Sequence, residues 1–197
     1  LERIIFKKNK STITLGQDLY LDESTIMLSE EIYLVKNFIN KDQITKYLNQ
    51  LESFEESDWH KHENVNPGDL EGDFWDGKLS LDILDTSFHD QVLNYFSPHG
   101  FWPYGHMNFV RLKPGQSSEI NGLNVEYIKY KLAIYLGDWT GGEIYFPDLD
   151  IEYKPENNDL LVIKCDEKHK HLTKPVLSGN RYAYIDFLVE HPGYFMP

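Results

Sequence analysis

From residue 100 onward the chain is cut into short apolar runs of strand length, each closed by a turn signal. That spacing restricts the fold more than any other feature. The runs are "HMNFVRL", "YKLAIYL", "GEIYFP", "DLLVIKC" and "RYAYIDFLVE". Between them lie Lys113-Pro114-Gly115, Asp138 to Gly142, Pro155 to Asp159, and Ser178-Gly179-Asn180. Pro, Gly, Asn and Asp punctuate because they supply fixed or positive φ and local side-chain bonds. Short strands at this spacing predict an antiparallel sandwich or barrel.

The first half has a different texture. "EIYLVKNFI" (31–39) reads as a strand entering a helix, with Asn40 as N-cap and Gln43 three residues on. Ile44, Tyr47, Leu48, Leu51 and Phe54 then recur at helical spacing, which predicts a helix laid over a sheet. Residues 56–79 are polar and carry Pro67, Gly68, Gly72 and Gly77, so a long loop is expected there. A second amphipathic helix is expected at about 81–96, with Ile83, Leu84, Phe88, Val92 and Phe96 on one side. Residues 1–30 hold the β-type runs "STITL", "LYL" and "TIML", broken by Gly16, Asp18 and Asp22, and read as a hairpin or an arm. The expected organisation is a β-rich extension over 1–30 and one domain over 31–197. Its fold class is α+β, mainly β, with helices packed on one sheet.

Composition narrows the function classes. Hydrophobic residues make up 41% of the 197 and aromatics 14%, enough for a full core. The net charge of -13 argues against nucleic acid as a partner, because phosphate contacts need clustered Lys and Arg. A protein or peptide partner, or assembly through the N-terminal arm, suits that acidic surface better. No apolar run approaches the roughly 18–20 residues of a membrane-spanning helix, and "LERIIFKKNK" has no long apolar leader stretch. The chain does not open on Met, which fits a natural start further upstream. Cys165 is the single cysteine, so no internal disulfide can form and a reducing, cytoplasmic location is expected.

Chemistry concentrates in "EKHKHLTKPVLSGNR" (167–181). His171 sits in a turn between two expected strands, where a neutral imidazole could face inward and bind a metal. His169, in the charged stretch "CDEKHKH", is expected to face solvent. Arg181 opens a core strand and needs a counter-charge. A structural carboxylate and a bound carboxylate ligand serve equally well on this evidence.

The stretch 135–188 resembles the C-terminal half of the prolyl-4-hydroxylase-like 2-oxoglutarate/Fe(II)-dependent oxygenases. Tyr135-Leu136, Gly141-Gly142-Glu143, Phe146-Pro147, Pro155, Asp159-Leu160-Leu161, His171, Pro175-Val176, Gly179 and Arg181 fall in the family order. Residues 31–54 resemble its opening strand and helix. The resemblance implies a double-stranded β-helix, or jelly roll, and Fe(II) and 2-oxoglutarate as cofactors. It makes His171 the distal iron ligand, Arg181 the clamp for the far carboxylate of 2-oxoglutarate, and Tyr135 an assistant to that clamp.

The family's remaining ligands form a His-x-Asp pair. The corresponding segment, "SSEINGLNVEYIKY" (117–130), contains neither residue. The best register puts Glu119 at the histidine position and Asn121 at the aspartate position. Without a metal, Glu119 is expected to be solvent-exposed or paired, with Lys129 or Lys131 as the near cations. His106, His60 and His62 are expected at a strand end and in a solvated loop. Trp59, Trp75, Trp102 and Trp139 either line a peptide groove or pack the core, with at least two expected in the core.

Three readings follow. The chain is a degenerate oxygenase fold that has lost its metal, so that it needs no cofactor and binds or builds something. Or it is a working dioxygenase that hydroxylates a prolyl or other side chain through altered ligands. Or it is a cupin-like metal or sugar site. The Lys, Asn, Ile and Tyr bias fits an AT-rich coding sequence, as in large phage genomes, which adds a phage particle to the expected locations.

Overall fold

The computed structural model describes residues 25–63, 74–79, 86–104, 108–122 and 125–190. In chain order the elements are β1 (Ile26–Ser29), β2 (Ile32–Val35), α1 (Lys41–Ser53), β3 (His60–Glu63), β4 (Phe74–Leu79), α2 (Thr86–Phe96), β5 (Trp102–Pro103), β6 (Asn108–Leu112), β7 (Ser118–Asn121), β8 (Ile128–Leu136), β9 (Thr140–Gly141), β10 (Ile144–Phe146), β11 (Ile151–Tyr153), β12 (Leu160–Lys164), β13 (His171–Thr173), β14 (Val176–Ser178) and β15 (Arg181–Val189).

Among the described residues the strands form a nine-stranded antiparallel sheet, a four-stranded sheet and a short pair. The large sheet runs β1-β2-β12-β8-β15-β6-β4-β3, with β5 beside β15. The smaller sheet runs β11-β10-β13-β7, and β14 pairs with β9. This is the expected mainly β jelly roll with helices on one sheet.

Strand alternation divides the core in two. Leu132, Ile134 and Leu136 of β8 and Tyr182 and Tyr184 of β15 point to the helix side. There they meet Ile44, Tyr47 and Leu51 of α1 and Phe88, Val92 and Phe96 of α2. Ala133 and Tyr135 of β8 and Ala183 of β15 point the other way, against Ile144 and Phe146 of β10. Lys131 and Arg181 share that second parity, which directs both cations into the sandwich interior. Asn40 caps α1 as expected, its Oδ1 accepting from Gln43 N at 2.9 Å.

One expectation needs correction. Residues 56–79 are not one long loop: β3 and β4 pair with each other, and β4 pairs with β6. "HKHE" and "FWDGKL" lack an apolar alternation because they form the outer rim of the sheet, where pairing with β6 decides. The second helix is described from Thr86, so Ile83 and Leu84 fall outside the described residues. In the N-terminal segment, β1 pairs with β2 in register Ile26 to Leu34, so residues 26–29 are built into the large sheet. The runs "STITL" and "LYL" lie outside the described residues.

Asn158 fastens the lead-in of α1 to the sheet. Its buried amide accepts from Ile39 N at 2.7 Å and donates to Ile39 O at 2.6 Å. Its φ of 69 is a left-handed value that asparagine tolerates better than alanine. Asn158→Ala leaves both Ile39 groups unpaired and is expected to cost about 2–4 kcal/mol, read from urea unfolding. A loss below ~1 kcal/mol would contradict this role. Next to it, Asp159 Oδ2 accepts from Lys36 Nζ at 3.0 Å, Tyr153 Oη at 2.5 Å and Glu156 N at 2.8 Å. This network closes the turn ahead of β12.

Candidate ligand site

Antiparallel pairing of β7 with β13 sets His171 directly opposite Asn121. His171 is buried. Its Nδ1 faces the carbonyl of His169 at 3.0 Å and so carries the proton, which leaves the Nε2 lone pair aimed inward. The group that meets Nε2 is the ammonium of Lys131, with Nζ at 3.0 Å. The same Nζ lies 3.5 Å from Asn121 Oδ1. Lys129 reaches Glu190 at 3.7 Å. Glu119 is half-buried on β7, two residues from Asn121, and the pairing of β7 with β13 shifts register between Ser118 and Asn121.

The second cluster surrounds Arg181, also buried. Its guanidinium carbon lies 4.7 Å from the centroid of the Tyr135 ring, and the Tyr135 hydroxyl accepts from the guanidinium. Arg181 Nε and Trp139 Nε1 are both buried donors without a partner. They flank Gly142, where an added Cβ would come 2.9 Å from Arg181 Cδ and 3.4 Å from Trp139 Nε1. Gly142 has φ +67 as well, so both its space and its backbone resist a side chain. Tyr135 and Arg181 thus lie in contact.

No protein-family model matches the sequence, and no curated protein sequence matches it. Solved structures do match. An oxidoreductase of the 2OG-Fe(II) oxygenase family from Burkholderia pseudomallei superposes with TM-score 0.63 at 12% identity, over 82% of this chain and 86% of that one. The viral collagen prolyl hydroxylase of Paramecium Bursaria Chlorella virus-1 gives TM-score 0.59 at 13% identity, over 82% and 96%. A Trichoplax adhaerens prolyl hydroxylase, in complex with a hypoxia inducible factor peptide fragment, gives 0.59 at 15% identity, over 81% and 84%.

The fold is that of the 2OG-Fe(II) oxygenases.

The oxygenase fold implies ferrous iron on two histidines and a carboxylate, and the side chains as placed do not fit it. His171 Nε2 already faces an ammonium, which has three donors and no lone pair. Asn121 offers a neutral amide in place of a charged carboxylate. At the second cluster, Arg181 Nε and Trp139 Nε1 are buried donors without a partner on either side of Gly142, a donor pair of the kind that suits a carboxylate.

These surroundings shift the titration of the site's groups. Burial pushes His171 down to about 3, and the neighbouring Lys131 charge adds to it. Burial also pulls the Lys131 ammonium down to about 8; Cys165 opposes that shift and Arg181 reinforces it. Cys165 itself rises to about 12, again through burial. Tyr135 is raised by burial to about 12, and burial also lowers Arg181.

His169 departs from its expected solvent-facing place, with only 1% exposure. Asp166 Oδ1 accepts from His169 N at 3.0 Å and bonds the ring Nδ1 at 2.6 Å, while Nε2 meets the Glu30 carbonyl at 3.1 Å. His169 therefore latches its turn to the β1–β2 hairpin, a contact between distant segments that local polarity does not reveal. Glu31, Asp166 and His169 bring three ligand-type atoms together. Both imidazole nitrogens are engaged, however, and Glu31 pairs with Lys164. His60 and His62 belong to β3 rather than a free loop, and His106 lies outside the described residues. Trp59 and Trp139 are core residues and Trp102 is half-buried on β5. Trp75 belongs to β4. No helix among the described residues is long and apolar enough to cross a membrane.

The sequence reading missed Lys131 as the partner of His171 and Trp139 as an unpaired donor beside Arg181. A signal for the first was present: in "YKLAIYL", Lys131 has the parity of Ala133 and Tyr135, so a charge was being sent inward.

Proposed function

We propose that this chain is a 2OG-Fe(II) oxygenase-fold domain that works as a binding module, with the iron centre replaced by the ammonium of Lys131. The observation that carries this reading is the 3.0 Å contact between Lys131 Nζ and His171 Nε2. The ammonium supplies positive charge where the fold would place a cation, and it takes the one imidazole lone pair that iron would need. Asn121 supports the same reading, because its amide oxygen accepts from an ammonium at no cost in charge.

The partner such a module recognises is a protein or peptide. The acidic surface, with a net charge of -13, favours that over nucleic acid. A cytoplasmic protein and a component of a phage particle both fit this role.

Anaerobic calorimetry with Fe(II) or Mn(II), with and without 2-oxoglutarate, tests the reading on the natural chain and on His171→Ala. No metal binding in either protein is the expected result. Micromolar binding that His171→Ala abolishes would sink it. The chain would then be an active dioxygenase with altered ligands, acting on a prolyl or other side chain.

A further inference from the structure

We propose that β1 is a self-association edge. A second copy of this chain sets its own β1 antiparallel to the first across a twofold axis, so that the two large sheets join into one. This pairing is independent of what occupies the place of iron.

Open strand edges invite pairing, and folded proteins blunt them with charged residues. Among the described residues, four strands end the two main sheets: β1 and β3 in the large one, β11 and β7 in the small one. Three of them carry charge. β3 reads His-Lys-His-Glu, β11 holds Glu152 and β7 holds Glu119. β1 reads Ile-Met-Leu-Ser and holds none. Its register with β2 is regular at Ile26 and Met27 and shifts only on the turn side, between Met27 and Ser29. No bulge therefore bends the outer half of this edge away from a partner strand.

Both faces of the edge are apolar. Ile26 stands opposite Leu34, which packs in the sandwich interior, and Met27 stands opposite Tyr33, which packs on the helix side. Ile26 is nonetheless 39% exposed and Met27 58%. A strand laid beside β1 would continue both core layers. The small sheet ends on the same flank, since Tyr153 of β11 accepts from Lys36, just after β2, at 3.1 Å. Leu28 and Ile151 are only partly buried against the interior cluster there. A stable interface takes about 1,200 Å² in total, more than four strand residues supply. The β11 rim extends the apolar surface beyond β1.

Charge selects a second copy as the occupant. A chain with net charge -13 repels its own copy unless the contact surface is neutral. This flank is neutralised pair by pair. Lys168 meets Glu30 at 3.2 Å, Lys164 pairs with Glu31, Lys174 pairs with Glu152, and Lys36 meets Glu156 at 2.8 Å. An uncharged β1 facing itself brings no like charges opposite each other. A basic partner, which the overall charge favours elsewhere on the surface, finds no anion on this strand. The hairpin is also held in advance, because His169 Nε2 meets the Glu30 carbonyl at 3.1 Å. Little further ordering is then needed on association.

Sedimentation velocity on the full chain from about 1 to 100 μM is expected to show a monomer–dimer equilibrium. Met27→Lys sets a cation on each copy into the contact and is expected to raise the dissociation constant at least about tenfold. Met27 is exposed, so the variant should keep the parent's circular dichroism, which separates lost association from lost folding. Cross-linking gives a second readout. Met27→Cys is expected to form an intermolecular disulfide under mild oxidation, while Leu177→Cys, at a position 72% exposed on β14, does so far less. A monomer throughout the range, a dimer that Met27→Lys leaves intact, or equal cross-linking at both positions overturns the proposal. Slow hydrogen exchange at the β1 amides of such a monomer would show the edge covered from within the same chain. None of these outcomes touches the metal-binding test, so the binding-module reading stands or falls separately.

Discussion

A chain carrying Glu119→His, Asn121→Asp and Lys131→Leu together is expected to bind Mn(II) or Fe(II) with micromolar affinity, while the natural chain binds neither. Positions 119 and 121 lie two residues apart on β7, which pairs with β13 so that 121 lies opposite His171. Restored histidine and aspartate therefore arrive next to the existing Nε2 lone pair. The third substitution matters most, because removing the ammonium frees that lone pair. It also removes a positive charge that would repel a divalent ion. Lys131→Leu alone should not suffice, since asparagine is a poor ligand for these hard cations. The double change without Lys131→Leu should also fail. Anaerobic calorimetry on the three variants and the parent separates these contributions. Metal binding by the parent as tight as by the triple variant would show that Lys131 does not occupy the place of a metal.

The second large effect is on acid stability. His171 titrates at about 3 in the fold against 6.5 for the free side chain, because burial and the Lys131 charge both disfavour the imidazolium. Between those values the unfolded chain binds the extra proton and the folded chain does not. Stability is therefore fully present above pH 6.5 and is lost as pH falls toward 3. At ~1.4 kcal/mol for each pH unit of difference, the loss amounts to a few kcal/mol. In His171→Gln this component should vanish, so urea midpoints between pH 7 and pH 4 should fall less steeply than in the parent. Parallel curves would mean that the ring is solvated or already protonated. Lys131 acts at the other end of the scale. Its folded value of about 8 lies below 10.5, so stability should rise with pH through that window. Lys131→Met should flatten that rise.

The strands of the second half were legible because buried strands obey a period of two. "YKLAIYL" and "RYAYIDFL" alternate between the helix side and the sandwich interior as β8 and β15 do. The first helix was legible through its cap and its apolar stripe. Strands β3 and β4 were not, because β3 closes the sheet and β4 lies between β3 and β6, so that pairing with neighbours rather than apolar alternation specifies them. His169 was misread for a related reason: nothing within a few residues indicates that the carbonyl of Glu30 will cover its ring.

The candidate site divides along the same line. By itself, the sequence determined the strands that carry Tyr135 and Arg181, through local propensity and side-chain period, whereas His171, expected in a turn, and Asn121, assigned to no strand, lie on β13 and β7. Only the tertiary structure decided that Lys131 rather than Glu119 answers His171, and that Trp139 and Arg181 share unpaired donors around Gly142. The Lys131–His171 contact joins residues 40 apart in the chain, and Arg181 reaches Gly142 from a different strand. They depend on how β8, β13 and β15 are stacked, which strand parity leaves open.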